Sequence, residues 1–138
     1  MKKRRSPSRT TLASMTALAR EARKRAHAPY SGFKVGAALK TRSGEIVTGC
    51  NIENASFGLT LCAERVAVFK AVSEGLTDFE AVVVAADSKR LTAPCGPCRQ
   101  ILWEFCGDIV VHMAGRGGRT LTRRLRELLP LPFDGGNL

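Results

Sequence analysis

Residues 79–86, Phe79-Glu80-Ala81-Val82-Val83-Val84-Ala85-Ala86, form an almost unbroken apolar run. Eight residues are short for a buried helix and suit a strand covered on both faces. Such a strand requires a layer on each side of its sheet, and the flanking sequence offers them. Leu12, Met15, Ala19, Ala22 and Ala26 recur at spacings of three and four, which predicts a first helix capped by Thr10 or Thr11 and stopped before Pro29. Residues 34–41 and 45–50 read as two strands joined at Arg42-Ser43-Gly44. A second helix is expected over 62–74, with Val66, Phe69 and Val72 among its apolar positions and Gly75 as its stop. A third runs from Cys95 or Gly96 to about Phe105. Residues 108–114 read as a strand, 119–122 as a short edge strand and 122–129 as a last helix. This order predicts an α/β fold, a three-layer α/β/α sandwich around a mixed sheet of about five strands. A length of 138 residues suits one domain, expected over 10–138.

The net charge of +10 is unevenly spread. Residues 1–25 hold nine Lys or Arg against one acid, and the rest hold 13 against 11. The excess is therefore a basic arm on a nearly neutral body. Residues 1–9 are expected to be a disordered, solvated arm, with no specific nucleic-acid partner. No apolar run approaches the roughly 20 residues of a membrane span. No signal-peptide core follows the basic start, so a cytoplasmic location is expected.

Five cysteines, Cys50, Cys62, Cys95, Cys98 and Cys106, are an odd number, which argues against a disulfide framework. Cys62 opens the second predicted helix. Cys95 and Cys98 open the third, three residues apart, so both sulfurs can face one point. Helix N-termini favour thiolates. Two such ends can converge three thiolates on one zinc ion and leave a fourth position for water. Glu64, on the same first turn as Cys62, is placed to take that water's proton. Taken alone, Cys95-Gly96-Pro97-Cys98 is equally the tetrapeptide of a thioredoxin-type redox site. There, however, a Trp usually stands where this chain has Pro94, and Cys62-Ala63-Glu64 has no place in a dithiol mechanism. His27 or His112 could complete a closed structural zinc site, although each reads more simply as an ordinary helix-end or strand histidine. Cys50 and Cys106 read as small buried thiols.

Cys62-Ala63-Glu64 with Pro94-Cys95-Gly96-Pro97-Cys98 resembles the zinc-deaminase signature, in the form whose first ligand is Cys. Three blocks are similar to the small cytidine deaminases: Tyr30-Ser31-Gly32-Phe33-Lys34-Val35-Gly36-Ala37-Ala38, the stretch from Asn51 to Arg65, and Pro94 to Gln100. The tail Glu127-Leu128-Leu129-Pro130-Leu131-Pro132-Phe133 resembles the family's ending. The similarity runs from about residue 11 to 138. It implies one Zn2+ per chain on Cys62, Cys95 and Cys98, with Glu64 catalytic. It further implies Asn51 and Glu53 at the ribose hydroxyls, Phe33 against the pyrimidine and the Ala63 backbone at the base edge. Phe57 and Phe133 match positions that reach a neighbouring subunit's site in a homotetramer, with Phe57 departing from the Tyr common there. The implied reaction is hydrolytic deamination of free cytidine and deoxycytidine to uridine and deoxyuridine, within pyrimidine salvage. The alternatives are another aminopyrimidine nucleoside or antibiotic as substrate, or a thiol redox protein. Three thiolates on one Zn2+ leave a charge of −1, and Arg65 is the candidate to contact a ligand sulfur and draw off that charge.

Overall fold

The computed structural model describes residues 5–138. Its elements are α1 (Arg9–Arg23), β1 (Val35–Thr41), β2 (Ile46–Cys50), α2 (Ala63–Ser73), β3 (Phe79–Ala86), α3 (Gly96–Cys106), β4 (Val110–Ala114), β5 (Thr120–Arg124) and α4 (Leu125–Leu128). The apolar run is β3, the middle of five strands ordered β2-β1-β3-β4-β5. β3 and β4 are parallel and joined through α3, and the other pairs are antiparallel. The sheet is thus mixed, as expected.

Alternation along the strands divides the core into two layers. On one side Met15 and Ala19 of α1 pack on Ala38, Ala81, Val83 and Ala85. On the other, Ala67, Val68, Leu102 and Leu125 pack on Leu39, Val82, Val84 and Val111. Each large aliphatic side chain buried in this way contributes about 1.5–3 kcal/mol over its exposed state.

The α1 layer lies unusually close. A Cβ on Gly36 would fall 1.8 Å from the Ala19 carbonyl oxygen and 2.7 Å from the Arg23 nitrogen, both helix backbone. Neither atom can swing aside as a side-chain tip would. A Gly36→Ala variant is therefore expected to lose about 3 kcal/mol of stability, read as a lowered urea midpoint.

Several boundaries differ from the sequence expectation. α1 starts earlier, because Ser8 rather than a threonine is the cap: its Oγ accepts from the Thr11 amide at 3.1 Å. The helix also ends at Arg23, before Ala26. Residues 1–4 of the expected arm lie outside the described residues, and Ser6 and Pro7 line a hollow beside Arg123 and Arg124. The last helix is only Leu125–Leu128, since Thr122–Arg124 pair with β4 instead. The inner face of α2 is made of Ala63, Ala67, Val68 and Ala71, while Phe69 and Val72 face outward. Small residues are needed there because β2 lies against the helix: a Cβ on Gly49 would come within 2.6 Å of the Ala63 oxygen. Among the described residues, no helix is long and apolar enough to cross a membrane.

Candidate active site

Two helices deliver the thiols. Cys62 is the N-cap residue of α2, Cys95 is that of α3, and Cys98 lies in α3's first turn. Neither side chain makes a capping hydrogen bond to the backbone of its helix. Cys62 Sγ lies 3.8 Å from Cys95 Sγ, and Cys95 Sγ lies 3.3 Å from Cys98 Sγ. All three sulfurs fall within 4.8 Å of one another, a cluster able to hold a metal ion. Tetrahedral zinc with Zn–S of about 2.3 Å sets sulfurs about 3.8 Å apart, so the donor set and its spacing fit zinc. Neither His27 nor His112 belongs to this cluster. His112 is buried in β4, with Nδ1 2.7 Å from Thr122 Oγ1.

The Cys62 thiol is brought down to about 5, first by the hydrogen bond from Cys98 and then by Arg65. The same bond to Cys62, with burial and the nearby Glu64 charge, pushes Cys98 up. One guanidinium nitrogen of Arg65 lies 3.5 Å from Cys62 Sγ and also donates to the Thr60 carbonyl at 3.2 Å. This is the sulfur contact expected for Arg65. Glu64 is only 4% exposed, and burial raises its carboxyl to about 7.

Arg65 contacts Cys62 Sγ, so with Cys62 holding zinc an Arg65→Gln variant is expected to lose about 10–100-fold in zinc affinity or turnover. Chelator competition and initial rates read that loss, and the unfolding midpoint should move much less. Unchanged zinc affinity and turnover would remove Arg65 from the site.

The antiparallel pairing of Gly36 with Cys50 places the approach to β1 beside the exit from β2. Asn51 follows β2 and fixes this corner: its Oδ1 accepts from the Val35 amide at 2.9 Å and its Nδ2 donates to the Phe33 carbonyl at 2.7 Å. Paired bonds between Ile52 and Leu61, at 2.9 and 3.0 Å, close the following loop and return the chain to Cys62. The Glu53 carboxylate is held by the amides of Tyr30 and Ser31 at 3.0 and 3.1 Å and by the Ser31 hydroxyl at 2.5 Å. These bonds, led by the Ser31 hydroxyl, hold Glu53 below the usual carboxylate range.

Phe33, Asn51, Cys62, Ala63, Glu64 and Cys95 line one hollow of about 180 Å3, with Cys98 beneath. Glu53 and Phe57 line an adjoining hollow of about 350 Å3 with Tyr30 and Ser31, and Thr60 borders both. Phe57 packs edge-to-face on Tyr30, with centroids 5.9 Å apart. Phe133 lies outside both hollows, exposed, its carbonyl accepting from Gln100 Nε2 at 2.8 Å. Sequence reading assigned no role to Thr92 and Ala93, which line the hollow beside Glu64 and Cys95 from the 87–94 loop. Their one signal was proximity to Cys95.

Three clustered thiols and a buried glutamate at the starts of two helices, on a mixed five-stranded sheet, are the parts that a zinc-dependent deaminase uses. Residues 9–114 match the cytidine and deoxycytidylate deaminase zinc-binding region, and the chain belongs to that family. It is 50% identical over 119 residues to the cytidine deaminase of Halalkalibacterium halodurans, covering 86% of this chain and 90% of that protein. The crystal structure of cytidine deaminase from Burkholderia pseudomallei is similar with a TM-score of 0.85 at 41% identity, over 88% of this chain and 98% of that one. A blasticidin-S deaminase of Bacillus cereus is 34% identical over 107 residues, 72% of this chain and 76% of that protein.

Proposed function

We propose that this chain hydrolyses free cytidine and deoxycytidine to uridine and deoxyuridine, releasing ammonia, as a step of pyrimidine salvage. The observation that carries this reading is the buried Glu64 beside the three-thiol cluster, in one hollow with Phe33 and Asn51. Cys62, Cys95 and Cys98 would hold one zinc ion per chain. Zinc held there would supply a Lewis acid that makes the attacking water more acidic.

The remaining chemistry belongs to the side chains. Phe33 packs against the pyrimidine, and the Ala63 backbone meets the base edge. Asn51 and Glu53 hold the ribose hydroxyls, with Glu53 already oriented by Ser31. Glu64 takes a proton from the attacking water and delivers it to N3 as the water oxygen adds to C4. It then carries the second proton to the 4-amino group. The C4–N bond breaks, ammonia leaves and C4 becomes the carbonyl of uridine. Water and cytidine are consumed, and uridine and ammonia account for every atom.

We further propose a homotetramer with shared active sites. Phe69 and Val72 on the outer face of α2, with Phe105 of α3, leave an apolar patch in which Phe69 and Phe105 stack edge-to-face at 6.4 Å. Phe57, Leu131 and Phe133 are also exposed. Apolar surface of this kind marks a contact between proteins, and Phe57 and Phe133 would reach the neighbour's site through it. A cytoplasmic location suits the five free thiols.

The blasticidin-S deaminase relative favours one second reading, an aminopyrimidine nucleoside antibiotic as substrate. Rates on cytidine, deoxycytidine, cytosine, a cytosine oligonucleotide and blasticidin S separate the readings. The highest kcat/KM is expected for the two nucleosides. The redox alternative leaves Cys62, at 3.8 Å from Cys95, without a role.

A further inference from the structure

On the opposite side of the sheet from the thiols, the last turn of α1 faces the β4–β5 turn across a cavity of about 300 Å3. Arg20, Arg23, Lys24 and Arg116 line it, and Asp87 is the one carboxylate in the lining. The charges are only partly balanced. Asp87 accepts from Arg116 Nε at 2.8 Å and lies 3.7 Å from a terminal nitrogen of Arg23. Lys24 pairs at 2.8 Å with Glu21, which does not line the cavity. Arg20 has only a 3.3 Å bond to the Gly115 carbonyl. Arg23 Nε is buried and has no hydrogen-bond partner among the described residues.

Cations in a last helical turn offset the helix dipole, which accounts for Arg20 and Arg23 being basic. It does not account for Arg116, which comes from another element, for the cavity between them or for the unpaired Arg23 N–H. Planar guanidinium forks match the oxygens of phosphate, and a dianion would balance the excess. The cavity is also larger than one phosphate group needs.

We propose that this cavity is a second ligand site, separate from the catalytic hollow, that binds the phosphate group of a small phosphate ester. In it Arg20, Arg23 and Arg116 hold the phosphate and Asp87 competes with it. Asp87 directly follows β3 and starts the 87–94 loop, whose Thr92 and Ala93 line the catalytic hollow. An anion bound here therefore sits at the root of that loop.

Isothermal titration of the zinc-loaded full chain at low ionic strength tests this, with inorganic phosphate, uridine 5′-monophosphate and a short oligonucleotide as probes. Saturable binding of the monophosphate at one per chain is expected, tighter than that of inorganic phosphate. Arg23→Gln and Arg116→Gln should each weaken it about tenfold, the loss of one charge-assisted contact. Asp87→Asn should tighten it. Arg116 is 53% exposed, so Arg116→Gln should keep cytidine turnover unchanged, which serves as the folding control. Absence of saturable binding, or wild-type affinity in both arginine variants, overturns the site. Tighter binding of the oligonucleotide than of the monophosphate, lost in the same variants, overturns the small-ligand reading.

Discussion

A Glu64→Gln variant is expected to lose about 10⁴-fold in cytidine turnover while keeping its fold and its zinc. The size of the effect follows from the number of proton transfers assigned to one side chain. In the proposed reaction Glu64 takes the two protons of the water in turn, giving the first to N3 and the second to the leaving amine. No other carboxylate lines the catalytic hollow. Burial at 4% exposure, with the carboxyl raised to about 7, suits a group that both accepts and donates near neutrality. Glutamine keeps the size and one hydrogen-bonding oxygen but can carry no proton. It also leaves no buried charge unpaired, so stability should change little. Initial rates, zinc content and the far-ultraviolet circular dichroism of the same preparation check the prediction. A variant that turns over at a tenth of the wild-type rate would move the proton transfers to another group.

A Cys98→Ala variant is expected to lose its zinc and its turnover together. Cys98 is the fully buried member of the three, and Cys95 and Cys62 lie at the mouth of the hollow. Two thiolates cannot hold zinc as three do, because structural and catalytic zinc sites draw on three or four protein ligands. Metal content should fall from about one per chain to nearly none. The unfolding temperature should fall as well, since affinity for the metal in the folded state adds to folding stability. Addition of a chelator should bring the wild type to the same lowered midpoint. Full zinc occupancy in the variant would show that the third ligand comes from elsewhere.

Much of the site was legible because its signals are local. A cysteine at a helix start, a glutamate two residues on and a pair of cysteines three apart are fixed by spacing alone. That the two helix ends meet is seen in the fold, where Ala67 and Val68 of α2 and Leu102 of α3 pack into the same layer of the core. What failed to show was decided by distant contacts. Val66, Phe69 and Val72 fit the apolar rhythm of α2 as well as the alanines do. Only the closeness of Gly49 to the Ala63 backbone selects the small face as the inner one. The residues 122–124 fit a helix until β4 offers its edge for pairing. Thr92 and Ala93 carry no chemical signal of their own and enter the hollow only because their loop folds back over it. A contact of Arg65 with one of the three sulfurs was anticipated from charge balance, and Arg65 lies 3.5 Å from Cys62 Sγ.

The most direct test of the account is the absorbance of cytidine incubated with purified, zinc-assayed protein, with ammonia measured in parallel. The account predicts steady conversion to uridine, one ammonia per uridine formed, at about one zinc per chain. Folded, zinc-loaded protein that leaves both cytidine and deoxycytidine unchanged would contradict it.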